Sequence, residues 1–222
     1  MHGGLVLARL SARNLASLPM HDSFSLDDPD GWSAAVQGAN PASLLVAIRL
    51  RMGPALAQHI SEEDIWQEAL LRAWRTRTSF TWQGMPAFRR WLLAIAEHTI
   101  GDHRDHFQAK KRAVQRTQPL AGGGSDAGHE PWSSTTPSRL ASERERAGLM
   151  AEALAALDDE VRDVVRMRLF EELPIAEIAA HLQIGESAVR HRFRKGAEAY
   201  ARRLRALEST SGHGKGRPPA SI

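Results

Sequence analysis

At 222 residues the chain is long enough for one medium domain or two small ones, and no run approaches the roughly 20 apolar residues that cross a bilayer as a helix. It contains no cysteine, which excludes disulfides, thiolate nucleophiles and cysteine-based zinc sites and fits the reducing cytoplasm in which we expect it. Lys and Arg number 29 against 26 Asp and Glu, yet the arginines cluster, most densely over 190–205 where Glu198 is the one acid, so a phosphate-rich partner with salt-sensitive affinity is indicated.

Residues 1–40 read as a poorly ordered N-terminal extension. Leu5 to Leu18 has some helical character, but Pro19 and then Pro29, Asp30 and Gly31 interrupt it. Arg9 and Arg13 sit inside its mildly apolar stretch with no cleavage site after them, which argues against a secretion signal, and Met20 is a second candidate start. Residues 41–60 read as a helix with Leu44, Leu45, Ile48, Met52 and Leu56 inward and a break at Gly53-Pro54. Ser61-Glu62-Glu63-Asp64 has the form of a capping box, a hydroxyl followed three residues later by an acid. The helix it opens runs to about Arg75, with Trp66, Leu70, Ala73 and Trp74 on one face. Asp64, Gln67, Glu68, Leu71 and Arg72 lie around the other, which reads equally as a docking surface or a solvated face.

The stretch 75–86, RTRTSFTWQGMP, has no periodicity and reads as a loop. Arg75, Arg77, Phe80, Trp82 and Gln83 offer a stacking plane, a phosphate partner and a hydrogen-bonding edge, which is what an unstacked base requires. Alternatively, Phe80 and Trp82 simply pin the loop to its domain. A further helix, 87–108, turns Trp91, Leu92, Ile95, Ala96 and Ile100 to the core and carries Arg89, Arg90, Arg104, Lys110, Lys111 and Arg112 at its flanks. Two of His98, Asp102 and His106 can share a face as a chelating pair, but no further ligand stands at a diagnostic spacing. We therefore read a polar helix face and assign no metal and no cofactor.

Residues 113–138, rich in Gly, Ser, Thr and Pro, read as a flexible linker. Order restarts at a capping signal, Ser142 to Glu145, and Leu154, Leu157, Val161, Val164, Val165, Leu169 and Phe170 outline one long amphipathic helix. Next, Ile175, Ile178, Ala179 and Leu182 mark a short helix, Gln183-Ile184-Gly185 a turn, and Val189, Phe193, Ala197, Tyr200 and Leu204 the inner face of a second helix. Its opposite face carries Ser187, Arg190, His191, Arg194 and Lys195. A tight turn, the small Ala179 and a basic outer face together favour a helix-turn-helix over a plain helical hairpin. Residues 209–222 read as a disordered, weakly basic tail, and no stretch reads as a strand.

Three segments carry a family resemblance: EEDIWQEALLRAWR (Glu62 to Arg75), FRRWLLAIAEHTIGDHR (Phe88 to Arg104) and LDDEVRDVVRMRLFEELPIAEIAAHLQIGESAVRHRFRKG (Leu157 to Gly196). Together they resemble the sigma factors of bacterial RNA polymerase, in the small extracytoplasmic-function group of the sigma-70 family that keeps only regions 2 and 4. The resemblance implies an all-α fold of two small helical domains, a region 2 bundle over 41–112 and a region 4 helix-turn-helix over 139–208, joined by the 113–138 linker. It implies a protein that is not itself an enzyme. Region 2 would dock on core RNA polymerase through Asp64, Gln67, Glu68, Leu71 and Arg72. The 75–86 loop, through Arg75, Arg77, Phe80, Trp82 and Gln83, would with Arg89, Arg90 and His98 capture the single-stranded −10 element of promoter DNA. The recognition helix from Glu186, through Ser187, Arg190, His191, Arg194 and Lys195, would read the double-stranded −35 element. The resemblance also admits an anti-sigma factor as a partner. The chain departs from the family pattern at His98, where Asn is common, at Gln183, where Gly is common, and at Pro174, where a capping Ser is common. Two rivals stand beside this reading: a stand-alone operator-binding regulator, and a helical metalloenzyme built on His98, Asp102 and His106.

Overall fold

A computed structural model of the chain describes residues 25–116 and 137–213. Most of the expected linker, residues 1–24 and the end of the expected tail lie outside the described residues. Among the described residues there are eight α-helices, one 3₁₀ turn and no strand: α1 Pro29–Gly38, α2 Pro41–Ala57, α3 Glu62–Thr76, the 3₁₀ turn Arg77–Ser79, α4 Met85–Arg116, α5 Pro137–Ala155, α6 Asp159–Leu169, α7 Ile175–Leu182 and α8 Glu186–His213. The chain divides into two compact units. Among the described residues, a front unit takes 25–39, 47–116 and 137–141, and a rear unit takes 40–46 and 142–213.

In the front unit the first helix corrects the expectation of a poorly ordered segment up to residue 40. Asp28 is the N-cap of α1, its side chain accepts from the Gly31 amide, and Pro29 occupies the first turn. The Asp-Pro-Asp-Gly cluster is therefore a helix start rather than an interruption. Trp32, Ala35 and Val36, one face of α1, are buried. Gly53 breaks α2 as its sequence predicts, with φ 72° and ψ 165°. Arg104 of α4 donates to the carbonyls of Arg51 and Met52, two acceptors at that break. The capping box forms: Ser61 Oγ accepts from the Asp64 amide at 3.2 Å, and Asp64 Oδ2 accepts from the Ser61 amide at 3.3 Å. Ile65, Trp66, Ala69 and Ala73 of α3 and Phe88, Leu92, Ala96 and Ile100 of α4 are buried.

In the rear unit the expected long helix is two. The chain breaks between Ala155 and Asp159, and Arg162 ties the break by donating to the Leu157 carbonyl at 2.6 Å. Helix α5 starts at Pro137, so Ser142 lies inside it rather than capping it, and α8 runs on to His213, beyond the expected start of the tail at 209. Val164 and Met167 of α6, Ile178 and Ala179 of α7 and Val189 of α8 form the core of the helix-turn-helix, with Leu173, Leu182, Ile184 and Phe193 packed around it. Gln183 takes the left-handed conformation, φ 55° and ψ 40°, that ends α7. The Ile184 amide reaches back to the Ala179 carbonyl at 3.1 Å, closing the helix end. Gly185 then caps α8, its carbonyl accepting from Ala188 and Val189.

Candidate nucleic-acid interface and docking face

The candidate rear interface is the first three turns of α8. Glu186, Ser187, Arg190, His191, Arg194 and Lys195 are all exposed, whereas Val189 is fully buried and Phe193 half-buried beneath them. This separation follows from helical periodicity, since residues three and four apart share a face. Arg190 donates to Glu186 at 2.8 Å, one turn back. The pair is exposed on both sides, so its stabilising effect is small. At Gly196 α8 passes close to α6: a Cβ there would lie 2.7 Å from Val165 Cγ2 and 3.0 Å from Val161 Cβ. The basic face is thereby set on a tightly packed support.

The front loop is less free than its sequence suggests. Phe80 stacks on Trp91 at 4.6 Å and also meets Phe88 and Trp82 edge-on. Trp82 lies 5.5 Å from Phe88. Arg77 donates to the Trp74 carbonyl at 2.6 Å, its guanidinium sits 3.6 Å from the Trp74 ring centroid, and its Nε is 3.4 Å from Asp27. Arg89 donates to the carbonyl of Ala39. Of the eight front-unit residues expected at the DNA, Arg77, Phe80, Trp82 and Arg89 are thus half-buried in packing, while Arg75, Gln83, Arg90 and His98 are exposed. The pinning reading of Phe80 and Trp82 describes what their rings do within this unit. The expected 75–86 loop is shorter than read, since Arg75 lies in the last turn of α3 and Met85 already opens α4; Arg75 and Gln83, on either side of the pinned rings, are exposed.

The α3 face is wired to α4. Arg72 donates to Asp102 and to Glu68, each at 2.6 Å, and His103 Nε2 lies 2.8 Å from the second Glu68 oxygen. Burial alone would push the Glu68 carboxyl up, but hydrogen bonds from His103 and Arg72 outweigh it and hold the group below its ordinary value. The hydrogen bond to Asp102, joined by that to Glu68, raises the Arg72 guanidinium against the opposing effect of burial. Gln67 and Asp64 are exposed and Leu71 half-buried. Asp102 is committed to Arg72 and His103 to Glu68, and among the described residues no group of three or more His, Cys, Asp and Glu could hold a metal ion. The sequence reading missed this network because its partners are some thirty residues apart. It also missed Asp27 and Trp32, for which the density of tryptophan in this half was the available signal.

Residues 42–111 match the family described as sigma-70 region 2, and residues 147–199 match sigma-70, region 4. The chain is 32% identical over 169 residues to the ECF RNA polymerase sigma factor SigL of Mycobacterium tuberculosis, an alignment that covers 76% of this chain and 87% of that protein. It is 26% identical over 147 residues to the RNA polymerase sigma-H factor of Pseudomonas aeruginosa, covering 65% and 74% respectively. Among solved structures, the RsbN–BldN complex aligns over 88% of this chain and 97% of the matched chain at 19% identity, with a TM-score of 0.25. No helix among the described residues is long and apolar enough to cross a membrane.

Proposed function

For a chain that belongs to the extracytoplasmic-function sigma factors of the sigma-70 family, and so directs promoter-specific transcription by RNA polymerase, we propose which of its residues carry each contact. The −35 element is read in the major groove by α8. Ser187, Arg190, His191 and Arg194 meet base edges or adjacent phosphates, and Glu186 and Lys195 flank them. The −10 element is captured as single strand at the 75–83 loop. Arg75 and Gln83 supply the exposed polar contacts, Phe80 and Trp82 the apolar floor, and Arg90 and His98 of α4 extend the surface, with Arg89 securing its start. Core polymerase docks on α3 at Asp64, Gln67 and Leu71, beside the Glu68 and Arg72 network.

The observation that carries this assignment is the exposed polar face of α8, Glu186 to Lys195, standing on the buried Val189. We place region 2 at 41–112 and region 4 at 139–208. The chain between them is a tether, so two weak sites acting together give one tight promoter complex. The factor works in the cytoplasm, catalyses no step itself and lends recognition to the polymerase, and an anti-sigma protein is a fitting partner to hold it inactive. The stand-alone regulator has no use for a region 2 segment and is not favoured. Binding of the full chain to core polymerase tests the docking face. Leu71→Glu should abolish co-elution while leaving the helical circular dichroism intact, and unchanged co-elution would move the docking face elsewhere.

A further inference from the structure

We propose that α1 and the turn before it brace the −10 reading loop, with Trp32 and Asp27 as positioning residues for promoter opening. The inference rests on assigning the 75–83 loop to the −10 element. The matched region 2 segment begins at residue 42, so α1 lies ahead of it. Yet Trp32 is only 2% exposed and touches three rings edge-on: Trp74 at 5.5 Å, Phe88 at 5.8 Å and Trp91 at 6.5 Å. Those rings hold the loop. Phe80 stacks on Trp91, Trp82 leans on Phe88, and the Arg77 guanidinium lies over Trp74.

Two polar ties run directly from the two ends of α1, the turn before it and the C-cap residue after it. Asp27 pairs with Arg77 at 3.4 Å, and the Ala39 carbonyl accepts from Arg89. Each half-buried loop contact is therefore reached from α1 either directly or through one aromatic ring. An aromatic cluster of this kind fixes geometry because edge-to-face contacts are directional. Fixing the loop in advance reduces the ordering that capture of an unpaired base would otherwise require. The docking face is held separately, by Asp102 and His103 of α4, so loosening the brace should spare it.

The test uses holoenzyme assembled from core polymerase and the full chain, on promoters recovered by run-off transcription. Trp32→Phe retains a ring in the same pocket, and Asp27→Ala changes a side chain that is largely exposed. Both should leave core affinity within about twofold and speed hydrogen exchange at residues 77–84. Permanganate-detected promoter opening should fall about tenfold for Trp32→Phe and about threefold for Asp27→Ala, with Asp27→Glu recovering most of the loss. Opening within twofold of the parent in Trp32→Phe overturns the brace. A parallel loss of core affinity also overturns it, since Trp32 would then only hold the unit together. Arg75→Ala and Gln83→Ala separate the two readings. If they leave opening unchanged, the −10 assignment fails and the brace falls with it; if they reduce opening and Trp32→Phe does not, the brace alone fails.

Discussion

Gly196→Ala measures how tightly the recognition helix is set against α6. In an unobstructed helix interior, alanine is favoured over glycine by about 1 kcal/mol. Here the new Cβ would meet Val165 Cγ2 at 2.7 Å, Val161 Cβ at 3.0 Å and the Val161 carbonyl oxygen at 3.2 Å. Both valines are buried, and neither the Val161 Cβ nor its carbonyl can turn away. Carbon–carbon contacts are comfortable near 3.5 Å, so α8 must retreat by roughly 0.8 Å. Overpacking of this kind costs about 1–3 kcal/mol and outweighs the propensity gain, so a net loss of about 1–2 kcal/mol is expected. Gly148→Ala is the control in the same unit: nothing lies within 4 Å of its Cβ position, and it should stabilise by about 1 kcal/mol. Thermal melts followed by far-ultraviolet circular dichroism should move in opposite directions, each by about 4–8 °C per kcal/mol for a unit of this size. Every described tryptophan is in the front unit, so tryptophan fluorescence should change little in either variant. Equal or greater stability of Gly196→Ala, with the control behaving as stated, would refute the close α6–α8 approach.

Arg190→Ala should leave stability within about 0.5 kcal/mol, because its pair with Glu186 is exposed, yet reduce −35 discrimination by about 1–3 kcal/mol in competition binding with single-base variants. Tyr200 is buried, and among the described residues its hydroxyl has no hydrogen-bond partner. Tyr200→Phe should therefore be neutral or stabilising by up to about 1 kcal/mol in urea denaturation. Burial raises the Tyr200 pKa, with Glu208 adding to the rise. The folded state thus keeps its proton where the unfolded chain loses it, and parental stability should fall relative to Tyr200→Phe as pH rises above about 10. Equal slopes for the two proteins between pH 10 and 11 would contradict this. Glu68 has the opposite sign: its lowered pKa gives a stabilising effect present at neutral pH and lost as pH falls below the usual carboxylate range. Glu68→Gln should melt with less acid dependence than the parent.

Local rules made much of the fold legible. The Ser61–Asp64 box, the Gly53 break and the split of α8 into a buried Val189 side and a basic side each depend on residues within a turn or two of one another. Misreadings arose where one residue type has two uses. Pro29, Asp30 and Gly31 read as a breaker but start a helix capped by Asp28, and Ser142 resembles a cap but lies inside α5. The turn after α7 needs a left-handed residue, and Gln183 takes that role although glycine is the usual choice. What stayed hidden was long-range: Arg72 with Asp102, His103 with Glu68, and Trp32 among the loop aromatics, none of which periodicity can pair. The loop illustrates the difference. Its composition pointed to a base-binding surface, but only tertiary packing separates the pinned Phe80 and Trp82 from the outward Arg75 and Gln83.

Run-off transcription with purified core polymerase, with and without the full chain, on fragments of the source genome tests the central claim most directly. The account predicts new, specific start sites whose upstream sequences share two elements, with Arg190→Ala weakening use of the −35 element and Gln83→Ala that of the −10 element. Failure of core to bind the chain, or binding with no gain in specific initiation, would contradict it.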